Sequence, residues 1–468
     1  MTSSQAVYPP RPTIDRKTLP PGPRELPLVG QTLRYMRNPI GLMRDAARYG
    51  DLVTLSVKPA LVYLVNHPEL IRDVIVTHHR KIERGPNTEV MKLLTGNGLI
   101  TATGADHLRQ RRLIQPSLRR ERVERYAETM QSYAESHQNN WTHGQRVDLG
   151  RELSLLTLRI VVKTLFGTHL ADEVRRIGAA FALSNNYITT RANQPPRMRK
   201  LFHRLPLPYS LRFKRARADL DSIIYGLIAD RRDSSDQRDD LLSLLMHARF
   251  DDDNGKPCGA GLTDEQVRDE TVTMFAAGHE TTAVTLIWTW YLLATHPELQ
   301  ARFQDELDGV IGDRAATLAD LPNLAFLDQV LEEALRLYPP IWFWGRMAFQ
   351  PFDLGGYQIP AGAFLLAPQL IAQRDPRFFD APLEFRPERW TPEFRASLPQ
   401  FAYYPFGGGP RRCIGDGFAM MEAKLIMATI GRYWTMRHDP RHKAEMLPLI
   451  SLRPKGGMPM FLERRHPV

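Results

Sequence analysis

The fold class this sequence predicts is mainly α with a small β-region. Three observations predict it. From about residue 107 to 335 the apolar spacing is helical almost throughout. Short alternating apolar runs, the mark of strands, fall near the two ends of the chain. No internal repeat divides the 468 residues, so strands from both ends must meet around the helical middle. That interleaving predicts one domain over residues 19–468. Residues 1–18 are polar and read as a disordered tail.

The elements follow in order. Leu19-Pro20-Pro21-Gly22-Pro23 is a stiff, turn-rich lead-in. Leu52–Val57 and Leu61–Val65 alternate on either side of Lys58-Pro59-Ala60 and predict a β-hairpin. His67-Pro68-Glu69 opens a helix. A charged, glycine-containing stretch, Arg249 to Gly261, interrupts the helical middle. A helix from about Asp264 to Ala294 would span roughly 45 Å, enough to cross the molecule. Its segment Val272 to Leu293 is the most apolar long stretch, yet carries His279, Glu280 and five threonines. It therefore reads as a buried helix, not a membrane span. Phe349 to Ala367 returns to strand and turn, with a hairpin corner at Asp353 to Tyr357. A last helix ends near Tyr433, and Ile450 to Leu462 predicts a hairpin around Lys455-Gly456-Gly457.

Composition bounds the function. The chain is 43% hydrophobic and 24% charged, an ordinary globular balance. Two cysteines, Cys258 and Cys413, make no disulfide framework, and a reducing, cytoplasmic setting is the simpler reading. Met1 to Lys17 has no apolar signal core, and no transmembrane anchor is expected. The net charge of +10 is scattered, and no nucleic-acid partner is expected from it. The densest group is Arg109, Arg111, Arg112, Arg119, Arg120, Arg122 and Arg125. Its plain reading is a solvated helix face; its functional reading is a dock for an acidic electron donor.

The most informative segment is Phe406-Gly407-Gly408-Gly409-Pro410-Arg411-Arg412-Cys413-Ile414-Gly415. It sets a cysteine between a glycine-rich turn and a helix start. Phe418, Met421, Leu425 and Ala428 then share one helix face. Backbone N–H groups and the helix dipole favour the thiolate there. A thiolate facing a flat apolar cofactor is an axial ligand for haem iron. The glycines remove side chains that would block close approach, and Arg411 can offer a donor fork to a propionate. A buried structural cysteine is the plain alternative. A phosphate loop is a poor alternative, because no Gly-Lys-Ser/Thr follows the glycines.

The spacing of Phe406, Gly409, Arg411, Cys413 and Gly415 resembles the haem signature of the cytochrome P-450 family. Ala277-Gly278-His279-Glu280-Thr281-Thr282 resembles its acid–threonine motif on the central helix. The resemblance implies that Cys413 ligates haem b, with Ala277 and Gly278 beside it. It implies that Thr281 supports bound dioxygen and that Glu280 relays protons. His107 and Arg111, four apart, and Arg346, after Pro339-Pro340, would be further propionate partners. Glu333 and Arg336 match the family's Glu-x-x-Arg motif, with Arg389 as third member of a structural network. Trp390 stands where the family carries phenylalanine. The implied fold is the cytochrome P-450 fold, with its long central helix over the haem.

The implied reaction is monooxygenation of an apolar small molecule, such as a fatty acid, terpenoid or steroid. Electrons would come from a separate ferredoxin or flavodoxin with its reductase, docking on a basic cysteine face that includes Arg109, Arg112 and Arg412. A monomer is expected. Trp342, Phe343 and Met458 fall where the family lines its pocket, as does the Asn87 to Thr103 loop, flanked by Arg84 and Lys92. Ordinary core packing is the alternative for the aromatics. A haem-thiolate isomerase or peroxygenase, and a haem sensor or carrier without turnover, are the competing functions. Glu280 and Thr281 count against them.

Overall fold

The computed structural model describes residues 9, 18–58, 60–85, 87–167, 173–192, 194, 205–233, 240–251 and 257–465. The expected tail over residues 1–18 lies almost wholly outside them. Helices dominate, and five small sheets flank them. The largest sheet runs, edge to edge, Leu52–Val57, Ala60–Val65, Phe364–Ala367, Trp344–Ala348 and Ile82–Glu83. Its first two strands form the expected hairpin, with Leu52 opposite Val65. The proline-rich lead-in is tied to this sheet, because the Thr54 N–H donates to Pro21 O. Phe352–Leu354 and Tyr357–Ile359 make the expected second hairpin.

The central helix runs unbroken over Asp264–Ala294. Thr263 caps it, reciprocally with Gln266. It is buried on all sides over most of its length, as its near-continuous apolar sequence requires. Helix Leu149–Phe166 packs along it, with the Phe166 and Phe275 rings 4.4 Å apart. Trp288 stacks on Tyr338 at 4.1 Å and donates its indole N–H to Leu452 O. The hydroxyls of Thr271, Thr281, Thr282, Thr285 and Thr289 each bond the carbonyl four residues back. These polar side chains are thereby satisfied without outside partners. Among the described residues no helix is long and apolar enough to cross a membrane.

One strand expectation fails. Leu452–Pro454 does not fold back on the final strand; it pairs with Met446–Pro448. The final strand, Pro459–Arg464, lies between Trp434–His438 and Arg146–Asp148. The cause is the turn between them. Gly456 and Gly457 both have left-handed φ, and a Cβ on Gly457 would fall 2.6 Å from an Asp148 oxygen. Asp148 accepts from the Met458 and Gly150 N–H groups, so the turn is docked on that carboxylate. The three-residue strand Arg146–Asp148, inside the helical middle, was not legible in the sequence because it is too short to show an alternation.

Candidate active site

The cysteine loop closes on itself through the Cys413 N–H, which donates to Phe406 O at 3.0 Å. Helix Asp416–Tyr433 follows, with Gly415 at its N-cap, and buries the expected face of Phe418, Met421, Leu425 and Ala428. Two of the glycines serve protein packing rather than access to a cofactor. A Cβ on Gly408 would lie 2.3 Å from the Phe401 ring, and one on Gly409, at φ +61°, 2.3 Å from Ile75 O. Gly415 is different: no protein atom lies within 4 Å of an added Cβ, and its φ is ordinary. A flat group close beside Cys413 supplies a reason for glycine there.

The Cys413 residue is exposed, with the Gly415 N–H 3.4 Å from Sγ. Desolvation by the surrounding protein, and then Asp416, raise its thiol, against the lowering pull of the Gly415 N–H, Arg111 and Arg412. A coordinated cation would favour the thiolate.

Beside the loop, cationic side chains converge. Arg411 donates to Ala102 O at 2.8 Å and to Glu83 at 2.9 Å. Arg111, on helix Gly104–Ile114, donates to Arg412 O at 2.8 Å. Burial, together with Arg411, lowers Arg346 to about 10 despite the opposing pull of Glu83. Arg84 is also pushed well down, by burial first and then by Arg346 and Arg411, and its Nε is buried without a hydrogen-bond partner. Burial and then the four arginines hold His107 at about 3, so it is a neutral donor here rather than the cation the spacing allowed. Among the described residues, Glu83 is the one carboxylate acting on Arg84, Arg346 and Arg411. Three guanidiniums around one carboxylate, with Arg111 beside them, call for further anions, and the two propionates of a haem fit that demand. The sequence reading had left Arg84 as a flank of the neighbouring loop. Its place in this cluster comes from the pairing of Ile82–Glu83 with Trp344–Ala348.

On the central helix, Ala277, Gly278, Glu280 and Thr281 are partly accessible, although the turns on either side are buried. Thr281 Oγ1 donates to Ala277 O at 2.7 Å. Glu280 Oε1 accepts from Arg453 Nε at 2.9 Å, and also from Asn185 and Ser451. None of these partners was foreseeable, since Ser451 and Arg453 lie more than 170 positions away. Gly278 faces protein: an added Cβ would meet Val161 at 2.9 Å. Its missing side chain lets helix Leu149–Phe166 approach. The cysteine's own helix reaches the central helix at Glu422, which is wholly buried against Thr282, its carboxyl held well above the usual range by burial.

Glu333, Arg336 and Arg389 come together as expected. Arg336 forks onto Glu333 with two bonds of 2.8 Å and spends its other N–H groups on Gln373 O, Pro382 O and Glu384 O. Arg389 Nε reaches Glu333 at 2.9 Å. Trp390 donates its indole N–H to Glu333 at 2.8 Å, a bond phenylalanine cannot make.

The three suggested pocket residues lie in packed surroundings. Trp342 is core, its indole N–H bonded to Leu449 O at 2.9 Å. Phe343 packs on the same cluster, and Met458 is fully buried in the main core. Their apolar character serves packing, the alternative the sequence left open.

Fold and site together define a haem-thiolate class of protein. The chain belongs to the cytochrome P450 family, whose family model matches residues 20–461. It is 38% identical to cyclooctatin synthase of Streptomyces melanosporofaciens, over 96% of each chain. It is 35% identical to pentalenene oxygenase of Streptomyces avermitilis, over 95% of this chain and 97% of that one. A cyclooctat-9-en-7-ol 5-monooxygenase of Streptomyces melanosporofaciens is 34% identical over 89% of each. Among solved structures, the haem domain of cytochrome P450DA superposes with a TM-score of 0.83 at 26% identity, over 96% of this chain and 98% of that one. The chain is thus a cytochrome P450 monooxygenase, of a family that uses haem-thiolate and dioxygen.

Proposed function

We propose that this chain oxygenates a terpenoid, placing one atom of dioxygen on a C–H or C=C bond of an apolar polycyclic or alkenyl skeleton. The observation that carries the substrate class is the likeness over most of the chain to pentalenene oxygenase and the cyclooctat-9-en-7-ol 5-monooxygenase, at 35 and 34% identity. Cys413 would hold haem b through its thiolate, and His107, Arg111, Arg346 and Arg411, joined by Arg84, would take the propionates. When bound, that group supplies the electron transfer and O–O cleavage that side chains cannot perform.

The chain's own residues do the rest. Thr281 gives its hydroxyl hydrogen to Ala277 O, which leaves its oxygen lone pairs directed outward. Glu280 takes protons from the Ser451 and Arg453 side and passes them along the helix toward Thr281. The Glu333 network keeps the cysteine side rigid. Residues 19–468 act as one domain, a cytoplasmic monomer served by a ferredoxin or flavodoxin and its reductase. Exposed Arg112 and Arg412 on the cysteine face suit an acidic donor.

The test is turnover of the haem-loaded enzyme under ¹⁸O₂, with a ferredoxin, its reductase and a panel of cyclic terpene hydrocarbons, terpene alcohols and fatty acids. The expected result is a spin-state shift with a terpenoid and a product carrying one ¹⁸O. Turnover of fatty acids alone would contradict the substrate class.

A further inference from the structure

In the three-stranded sheet, the final strand Pro459–Arg464 runs between Trp434–His438 and Arg146–Asp148. Beside it lies a cavity of about 420 Å³, lined by Arg146, Asp439, Arg441 and His442. Its walls come from both flanks of the final strand. Arg146 stands opposite Phe461 in the ladder. Asp439, Arg441 and His442 form the turn after Trp434–His438, which the His442 N–H closes on Asp439 O at 2.9 Å. The Asp439 N–H donates to Pro459 O, so this turn is fastened to the sheet.

Asp439 organises the cations. Its side chain is 1% exposed, whereas those of Arg146 and Arg441 are 53% and 74% exposed. Oδ2 accepts from Arg146 Nε at 2.9 Å and from Arg441 Nη2 at 3.0 Å. Oδ1 accepts from Arg441 Nε at 3.0 Å and from the Arg441 backbone N–H at 3.1 Å. Arg441 and then Arg146 hold the carboxyl well below the usual range, so it stays an anion around neutral pH. An isolated surface ion pair would be worth little. This arrangement exceeds one in two respects. One arginine neutralises one carboxylate, yet two are fastened to it, which leaves the cavity an excess positive charge. Donors are also left over: among the described residues, Arg146 Nη1 and Nη2 and Arg441 Nη1 have no hydrogen-bond partner, and Asp439 is the one carboxylate lining the cavity. His442 Nε2 is buried without a partner as well. The charges nearby in the chain are matched among themselves, Lys443 and Lys455 with Glu445 and Arg437 with Glu463.

We propose that this cavity is a binding site for a phosphoryl anion, taken by the free N–H groups of Arg146 and Arg441 while Asp439 holds both guanidiniums in place. A guanidinium fork matches the spacing of phosphate oxygens. Small-molecule sites run from about 300 to 1,000 Å³, so the volume admits inorganic phosphate, a phosphate monoester or a diphosphate. Because Asp439 already orders the arginines, little side-chain freedom is lost on binding. A bound anion ties strand Arg146–Asp148 to the Asp439–His442 turn across the final strand, and so stabilises this sheet. The site uses none of the haem residues, and it stands whether or not the substrate is a terpenoid.

The experiment is calorimetric titration of the haem-loaded, full chain in phosphate-free buffer. The probes are inorganic phosphate, glycerol phosphate and inorganic diphosphate, each set against sodium chloride of equal ionic strength. Four proteins are compared: the unaltered chain, Arg146→Gln, Arg146→Lys and Lys455→Gln. Both Arg146 variants leave the Arg441 fork on Asp439, so the buried carboxylate keeps a counter-ion; the Soret spectrum reports that each protein is folded. The expected result is saturable binding of at least one probe by the unaltered chain, with a rise in unfolding temperature that chloride does not give. Arg146→Gln should lose about tenfold or more in affinity. Arg146→Lys, which keeps the charge without the fork, should fall between the two. Lys455→Gln, which removes a neighbouring cation outside the cavity, should bind as the unaltered chain does. The probe held most tightly identifies the source as free phosphate, a phosphorylated metabolite or a diphosphate. Absence of saturable binding by all three probes, an equal effect of chloride, or equal affinity in the unaltered chain and Arg146→Gln overturns the proposal. So does a loss in Lys455→Gln as large as that in Arg146→Gln, because the anion would then be answering to surface charge alone.

Discussion

Two buried or half-buried carboxylates frame the site, and their surroundings differ in kind. Behind the cysteine loop, Glu333 has both oxygens filled: Oε1 accepts from Arg336, Arg389 and the Arg386 backbone N–H, and Oε2 from Arg336 and Trp390. On the central helix, Glu280 receives Asn185, Ser451 and Arg453 all on Oε1. Among the described residues its Oε2 accepts nothing. A saturated carboxylate holds its neighbours in place and has no site left for a proton. A half-saturated one is anchored at one oxygen and open at the other, as a proton carrier must be. The same contrast extends outward. The Glu333 shell is bonded donor for donor, whereas Asn185 Oδ1, Ser184 Oγ and Thr273 Oγ1 near the central helix are buried without partners.

Removing the saturated carboxylate gives the largest expected effect. Glu333→Ala leaves Arg336 and Arg389 as buried charges without their counter-ion, a loss of roughly 3–5 kcal/mol. Denaturant unfolding should show it, and little holoprotein should survive purification. A stable, haem-replete Glu333→Ala would mean that the network is ornamental. Thr281→Ala addresses the other side. It should keep fold and haem yet lower the share of electrons reaching product by about tenfold or more, measured as product per nicotinamide consumed. Unchanged coupling would remove Thr281 from proton handling.

A smaller effect concerns Glu270, also on the central helix. Its Oε2 accepts from the Leu99 N–H at 3.0 Å, and burial lifts its carboxyl to about 8, with Asp269 adding slightly. A folded-state value raised above the unfolded one means that the folded protein holds a proton the unfolded chain has lost. Its contribution is complete below about pH 4.5 and is lost as pH rises through about 8. Glu270→Gln should therefore flatten the decline of stability between those limits, read as unfolding temperature against pH. An equally steep decline would show that another group carries it. The smallest change is Trp390→Phe, which removes one of five donors to Glu333. About 1 kcal/mol of stability should go, with thiolate ligation unchanged; loss of haem on this substitution would show that the network tolerates less than its redundancy implies.

Much of the cysteine side was legible in sequence because its parts are local. The loop, the following helix and the Glu333–Arg336 pair are each set by residues within a few positions of one another. The long central helix was legible too, from its long, mostly apolar run. What escaped was set by distant pairing. Arg84 joins the arginine cluster through a two-residue strand, and Glu280 meets Ser451 and Arg453 across most of the chain. Gly409 was expected to make room for a cofactor, but it makes room for Ile75, as Gly278 does for Val161. Sequence shows that a side chain is missing; only the fold shows which neighbour needs the space. Trp342 and Met458 make a related point: apolar residues near a site and apolar residues in a core look alike until burial is known.

The central claim is that Cys413 presents a thiolate to haem iron. The direct measurement is the absorbance spectrum of the dithionite-reduced protein with carbon monoxide, for the unaltered chain and for Cys413→Ala. The account predicts a strongly red-shifted Soret band in the unaltered protein and none in the variant. A band typical of histidine- or thiol-ligated haem in the unaltered protein, or a red-shifted band that persists in Cys413→Ala, would contradict it.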